Sequence, residues 1–232
     1  LIAGHIYKHP GRKLRMIGIT GTNGKTTCSQ WIARALNARG VRTAVIGTLG
    51  YGLRSSLRPL VNTTPDPLWL QAQLAAFAKR GAAAVSMEVS SIGLEQGRVA
   101  GVPFDIALLT NLTRDHLDYH RTMAKYKAAK AKLFAVETLT HAVLNLDDAF
   151  GVELAASIKR RGLKLIGYGF DKGADAPRRL QRVIGSRLES GADGVHFDVA
   201  TPQGCAHVSS GVLGRHNASN LLATLAVLLA CD

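Results

Sequence analysis

Short apolar runs alternate along the chain with longer stretches in which apolar residues recur at helical spacing. Arg15 to Thr20 runs apolar into a glycine turn and predicts a buried strand. Thr26 to Arg39, with Trp31, Ile32, Ala35 and Leu36 on one face, predicts a helix that Gly40 ends. Residues 42–48 read as a second buried strand. Pro65 and Pro67 mark a helix start, and Leu68 to Arg80 keeps helical spacing up to Gly81. Residues 83–90 and 104–112 predict further buried strands, each ending in polar residues. Met123 to Phe134 predicts a helix, 141–147 a strand, Ala149 to Arg161 a helix and 163–170 a strand. From Arg178 to Val212 short alternating stretches broken by "SGADG" and "TPQG" predict antiparallel hairpins, and the segment from His216 reads as helical.

Regular alternation of strand and helix up to about residue 170 is the pattern of an α/β fold with a doubly wound, mostly parallel sheet. A small antiparallel β region is expected near the C-terminal part. The length of 232 residues suits one large domain, or one domain with a small insertion. In such sheets ligands bind outside the carboxyl ends of the strands. The polar runs of this sequence fall there.

Composition narrows the partners. Apolar residues make up 47% and charged residues 19%, enough for an ordinary core, and the formal net charge is +13. That charge favours anionic ligands. The basic residues are nevertheless scattered over Lys8–Arg15, Lys125–Lys132, Lys159–Lys164 and Arg178–Arg187, with only 6% aromatics to stack on bases. No nucleic-acid motif stands out, so phosphorylated small molecules are the better expectation. Cys28, Cys205 and Cys231 are too far apart for a metal pair or a disulfide framework, which points to a reducing cytoplasm. The opening residues lack the apolar run of a signal peptide, and the apolar end "NLLATLAVLLAC" is shorter than the ~20 residues a membrane span needs. The chain starts without methionine and stops at that last helix, so a fragment of a longer protein is expected.

The most specific chemistry lies in "MIGITGTNGKTTCSQW". A strand, a glycine turn and a helix place backbone N–H groups and the positive end of a helix around an anion. Lys25 can reach terminal phosphates and the Thr26 hydroxyl can hold a magnesium ion. The longer Gly-x-x-x-x-Gly-Lys-Ser/Thr form would need glycine at position 19, where this chain has Ile19, so the loop is the shorter Gly21-Thr22-Asn23-Gly24-Lys25-Thr26 form. Glu88 ends a buried strand, where a metal-binding carboxylate is expected. Asn111, Asp115 and His116 lie past another strand. Read singly, Asp115 fits a helix cap, His116 a satisfied interior histidine and Lys130 a solvated lysine among Lys125, Lys127 and Lys132. Their arrival at one edge of one sheet, beside a phosphate loop, argues for a shared site.

"GITGTNGKTT", "NTTP", "MEVSS", "TNLTRDHLDYH", "YKAAKAKLF" and "LGRHNASNLLA" occur in the order and spacing of the Mur ligases, and the chain resembles that family over nearly its whole length. Within the family it is most similar to members that add the third residue to UDP-N-acetylmuramoyl-L-alanyl-D-glutamate. The resemblance implies that Gly21, Thr22, Asn23, Gly24, Lys25, Thr26 and Thr27 bind ATP phosphates, with Asn220 near the adenine. It implies magnesium ligation by Thr26 and Glu88, and by His116 for a second ion. Asn62, Thr63, Thr64, Ser90, Gln96 and Arg98 match positions that hold the muramyl-peptide substrate. Lys130 matches a lysine that the family carbamylates, which would make it a metal ligand. Lys25, His116 and Lys130 are then the side chains assigned to catalysis. One departure is Ile92, which stands where many relatives carry histidine.

The activity implied is ATP-dependent amide-bond formation through an acyl phosphate, with the muramyl dipeptide and an amino acid as substrates. Residues 1–15 are then expected to be a linker from a missing N-terminal domain, and 16–232 the central ATP-binding domain without its C-terminal partner. Two rivals remain open at this point. One is a folylpolyglutamate synthase-like ligase, and the other is a P-loop ATPase module serving a nucleic-acid or protein partner.

Overall fold

The computed structural model describes residues 2–53, 56–170, 177 and 179–231. In chain order its elements are α1 (Ile2–Ile6), β1 (Arg15–Thr20), α2 (Lys25–Ala38), β2 (Thr43–Gly47), β3 (Gly50–Leu53), β4 (Ser56–Arg58), α3 (Pro67–Lys79), β5 (Ala84–Glu88), α4 (Ser91–Glu95) and β6 (Ile106–Leu109). They continue with α5 (Leu117–His120), α6 (Met123–Ala131), β7 (His141–Asn145), α7 (Ala149–Ser157), β8 (Lys164–Gly169), β9 (Gln181–Gly191), β10 (Gly194–Thr201), β11 (Gly204–Ser210) and α8 (Arg215–Cys231).

All of the strands join one sheet in the order β11-β10-β9-β8-β7-β6-β1-β5-β2-β3-β4. From β9 to β2 every neighbour pair is parallel, and antiparallel strands extend both edges. The two halves wind away from β1, which lies between β5 and β6. The doubly wound, mostly parallel α/β expectation therefore holds.

Burial on both faces explains why the parallel strands read as unbroken apolar runs. In β1, Met16 joins the core cluster that holds Leu70, Leu74 and Phe77 of α3, whereas Ile17 and Ile19 join Ile32 and Leu36 of α2 with Leu222 and Val227 of α8. Burial of a side chain as large as Leu74 is worth about 1.5–3 kcal/mol, and Leu74 is fully buried. The starts of α3, α6 and α7 carry side-chain caps: Asp66 accepts from Leu68 and Trp69, Thr122 from Lys125, and Asp148 from Phe150.

Several boundaries differ from expectation. The antiparallel region is not separate, because β9 continues the parallel sheet through its pairing with β8 before β10 and β11 turn back. Arg178, where that region was expected to begin, lies outside the described residues. The short β3–β4 pair at the opposite edge was not anticipated; its glycines and arginines give no apolar run. The helix expected to reach Phe134 is α-helical only to Ala131 and tightens into a 3-10 turn over Lys132–Ala135. The helix expected to reach Arg161 ends at Ser157. Residues 2–14 include α1 and a 3-10 turn at Pro10–Lys13, and β1 starts at Arg15 as its apolar run predicts.

Helix α7 approaches the end of β7 so closely that a Cβ on Gly151 would overlap the Asn145 carbonyl. Alanine in place of glycine inside a helix ordinarily gains about 1 kcal/mol. Overpacking against backbone costs more, about 1–3 kcal/mol. Gly151→Ala should therefore lower the unfolding free energy measured in urea, and a variant as stable as the parent would overturn the close approach.

Candidate active site

The parallel register aligns the carboxyl ends of three strands. Ile19 pairs with Glu88 and Thr20 with Leu109, so the turn after β1 sits between the chain leaving β5 and the chain leaving β6. Gly21 has φ 147° and Gly24 φ 82°, and Gly24 caps the start of α2. A Cβ on Gly24 would lie 2.5 Å from the Asn220 side chain, so the position demands glycine for space as well as for backbone.

Hydrogen bonds to the segment after β6 hold the turn. Thr22 N–H donates to Asn111 O at 2.9 Å, and Asn23 N–H to Asn111 Oδ1 at 2.9 Å. The Thr110 hydroxyl and the Asn111 amide donate to Asn23 O at 2.6 and 3.1 Å. Thr22 Oγ1 accepts from Thr113 N–H at 3.0 Å and lies 3.1 Å from Tyr126 Oη.

Two lysines share this loop. Lys25 Nζ donates to Thr22 O at 2.8 Å and Gly21 O at 3.0 Å, and Lys130 Nζ donates to the same Gly21 O at 2.7 Å. Lys130 is 1% exposed and its ammonium sits 4.4 Å from the centre of the Tyr126 ring. The solvated lysine that spacing alone suggested is therefore corrected: Lys130 points inward from α6. Burial, and then the charge of Lys25, bring its pKa down to about 7. Burial also lowers that of Lys25, with Glu88 and Asp115 opposing.

Across the loop, fully buried Glu88 accepts from the Thr26 hydroxyl at 2.9 Å, Thr48 N–H at 2.8 Å and the Thr48 hydroxyl at 3.2 Å. The Thr64 hydroxyl donates to Glu88 O at 3.2 Å and accepts from Ser90 N–H at 2.8 Å. Ser90 Oγ caps α4 by accepting from Gly93 N–H at 3.0 Å. The Arg98 guanidinium donates to Thr64 O at 2.9 Å and to Gln96 Oε1 at 2.8 Å. His116, in a left-handed conformation with φ 49°, lies 3.6 Å from Asp115 Oδ2 with 45% of its side chain exposed, which corrects the interior reading of that histidine.

One cleft of about 430 Å³ is lined by Thr22 to Thr27, Asn62, Thr63, Thr64, Glu88, Ser90, Arg98, His116 and Lys130. Three expected residues are not among its lining: Gly21 at the base of the loop, Gln96 beside Arg98, and Asn220 behind Gly24. Asn220 is 8% exposed, and its Oδ1 is 3.6 Å from Cys28 Sγ. Thr48 and Tyr126 were missed. Thr48 could have been found, since it follows β2 at the same edge as the other polar runs. Ile92 also lines the cleft and puts an apolar side chain there.

Among the described residues no group of three or more His, Cys, Asp or Glu could by itself hold a metal ion. The oxygens of Thr26 and Glu88 do suit magnesium, which is typically bound by one or two carboxylates together with substrate phosphates. A glycine turn, a helix start, a buried carboxylate and two lysines together can bind and polarise a polyphosphate.

The model of the Mur ligase middle domain matches residues 19–228. The chain belongs to the Mur ligase family. Two of its Mur ligase relatives, the UDP-N-acetylmuramoyl-L-alanyl-D-glutamate–2,6-diaminopimelate ligases of Nitrosomonas europaea and Ralstonia nicotianae, are each 50% identical to it, over 100% and 98% of this chain and 45% of each relative. The chain thus spans about half the length of the curated relatives it matches. A solved ligase of the same description superposes with a TM-score of 0.87 at 37% identity, covering 99% of this chain and 47% of that one. Mycobacterium tuberculosis folylpolyglutamate synthase complexed with ADP shares the fold, with a TM-score of 0.75 at 18% identity over 99% of this chain and 56% of its own.

The Lys130 shift has a measurable sign. Between pH 7 and the ordinary lysine range the unfolded chain binds a proton that the folded chain does not, so folded stability rises with pH there. Below pH 7 both states are protonated and the burial cost is fully present. In buffer free of carbon dioxide, the parent should gain stability relative to Lys130→Met as the pH rises from 7 to 10. Parallel denaturation curves across that range would refute the buried, neutral lysine.

Proposed function

We propose that the protein containing this chain is an ATP-dependent ligase that adds the third amino acid to UDP-N-acetylmuramoyl-L-alanyl-D-glutamate. In this reading residues 16–232 form its central ATP-binding domain, residues 1–15 lead in from a preceding domain, and the protein works in the cytoplasm. The observation that carries the proposal is the cleft itself: the phosphate loop, the Thr26–Glu88 pair, buried Lys130 and the Arg98–Thr64 arm face one another. Identity of 50% over the whole chain to 2,6-diaminopimelate ligases favours diaminopimelate as the added residue. The folylpolyglutamate synthase-like alternative is not favoured, since its likeness is of fold at 18% identity.

A carboxylate is a poor acylating agent, so an oxygen of the dipeptide's carboxylate first attacks the γ-phosphorus of ATP and ADP departs. The amine of the incoming amino acid then attacks the acyl carbon, and phosphate leaves as the amide forms. Gly21 to Thr27 cradle the phosphates, and Lys25 exchanges its bonds to Gly21 O and Thr22 O for phosphate oxygens. Magnesium bound at Thr26 and Glu88, with His116 serving a second ion, would offset the charge of the phosphates. Asn62, Thr63, Thr64, Ser90, Gln96 and Arg98 orient the muramyl peptide, and Asn220 supports the adenine side through the loop.

Carbon dioxide adds only to a neutral amine. Burial holds Lys130 near pKa 7, which supplies that amine, and its carbamate would turn a cation into a long-stemmed anionic ligand. Lys130 is proposed to be carbamylated in the working enzyme.

Two experiments test this reading. Lys25→Ala should abolish magnesium-dependent ATP binding in calorimetry while the circular dichroism spectrum stays native; unchanged affinity would sink the loop assignment. In the complete enzyme Lys130→Ala should lose ligation and regain part of it when short carboxylic acids are supplied. Lys130→Arg should not be rescued, because its guanidinium keeps the positive charge. Full activity in the alanine variant would overturn the carbamate.

A further inference from the structure

Arg98 is not held by the cleft alone. Its Nε–H donates to Gln96 Oε1 at 2.8 Å, and Gln96 Nε2 donates in turn to the Tyr119 hydroxyl at 3.2 Å. On the other side Arg98 Nη1 donates to Thr64 O at 2.9 Å, and Thr64 Oγ1 reaches Glu88 O at 3.2 Å. A hydrogen-bonded chain thus runs from Tyr119, whose ring is 40% exposed, to the backbone of the strand that presents Glu88.

Tyr119 is a fixed end of this chain although α5 is a single turn. Its neighbour His120 is 4% exposed, and His120 Nε2 lies 2.9 Å from Ser91 Oγ of α4. The His120 ring packs 4.9 Å from Tyr119 and 5.2 Å from Tyr126. An ion pair between Lys132 Nζ and Glu95 Oε2, 2.6 Å long, ties the same two segments. Three side-chain pairs, at Ser91, Glu95 and Gln96, therefore bind α4 and the turn after it to the 117–132 segment.

A glutamine amide has nearly the same shape when flipped, but its two ends differ in kind. The oxygen end must face the Arg98 Nε–H, since the NH₂ end there would set donor against donor. The donor-only Arg98 sets that orientation, and the Tyr119 oxygen, accepting from Gln96 Nε2 at the other end, anchors the amide in place. We propose that Tyr119 is a positioning residue: by fixing the Gln96 amide it aims the Arg98 guanidinium at the anionic muramyl-peptide substrate. The proposal rests on the reading of Arg98 as a substrate-binding side chain.

Tyr119→Phe removes the oxygen and keeps the ring. In the complete enzyme it should raise the KM for the muramyl dipeptide about three- to tenfold, the scale of one ordinary hydrogen bond, with kcat, the KM for ATP and the melting temperature unchanged. In a Gln96→Ala background the same substitution should have no further effect. An unaltered KM in Tyr119→Phe, or its full effect persisting in the Gln96→Ala background, would overturn the relay; the second result would make Tyr119 a direct substrate contact. Equal rises in both KM values would assign it to the fold. Without any substrate, the Gln96 side-chain amide resonance of the same protein should shift and broaden in Tyr119→Phe. An unmoved resonance overturns the proposal, whereas a parent enzyme that does not turn over the muramyl dipeptide overturns the functional reading and leaves this second measurement to decide the relay.

Discussion

The cleft depends on the pairing of β1 with β5 on one side and β6 on the other. Ile19 opposite Glu88 and Thr20 opposite Leu109 bring the ends of three strands level, although their residues are far apart in sequence. Because neighbouring strands lie about 4.8 Å apart, the turn after β1 has no room to avoid its neighbours. Thr26 meets Glu88 on one flank, and Asn23 meets Asn111 on the other. A slip of one residue in either pairing would turn each strand's core side chains to the wrong face and separate the hydroxyl from the carboxylate. The apolar register that builds the core is thereby the register that builds the site.

Two cations beside one carbonyl are a costly arrangement. Lys25 and Lys130 both donate to Gly21 O, and both have lowered pKa values because burial disfavours their charge. The buried carboxylate nearby is occupied by Thr26 and Thr48, so it does not pair directly with either lysine. The lowering of the Lys130 pKa to about 7 removes part of the repulsion between the two lysines. The loop carries no backbone strain at its positive-φ positions, since Gly21 and Gly24 are glycines.

Most of the architecture was legible because parallel strands buried on both faces leave continuous apolar runs, as in 141–147 and 163–170. The positions of Glu88 and of the glycine turn followed from the same runs. What escaped the pattern shares one cause: it depends on partners distant in sequence. Nothing local shows that Lys130 rather than Lys125 or Lys127 turns inward, which follows from the packing of α6 beneath the phosphate loop. His116 read as an interior side chain because its left-handed backbone, which turns it toward the cleft, has no signature in its neighbours. The β3–β4 pair lacks apolar alternation because it is an edge, with Ser56 and Arg58 exposed.

The Thr64–Arg98 pair shows how the two halves of the cleft are joined. Thr64 belongs to the segment between β4 and α3, yet its hydroxyl bridges Glu88 O and Ser90 N–H. Its carbonyl holds Arg98. A threonine at this point satisfies the last backbone groups of β5 while lending its own carbonyl to a cation, and serine would do so with less packing, because Thr64 Cγ2 fills the space beside Gly93. One residue therefore links the Arg98 guanidinium, through its carbonyl, to the backbone of Glu88, through its hydroxyl. Because the Glu88 carboxylate accepts in turn from Thr26, the Arg98 side of the cleft and the loop after β1 are joined through Thr64 and Glu88.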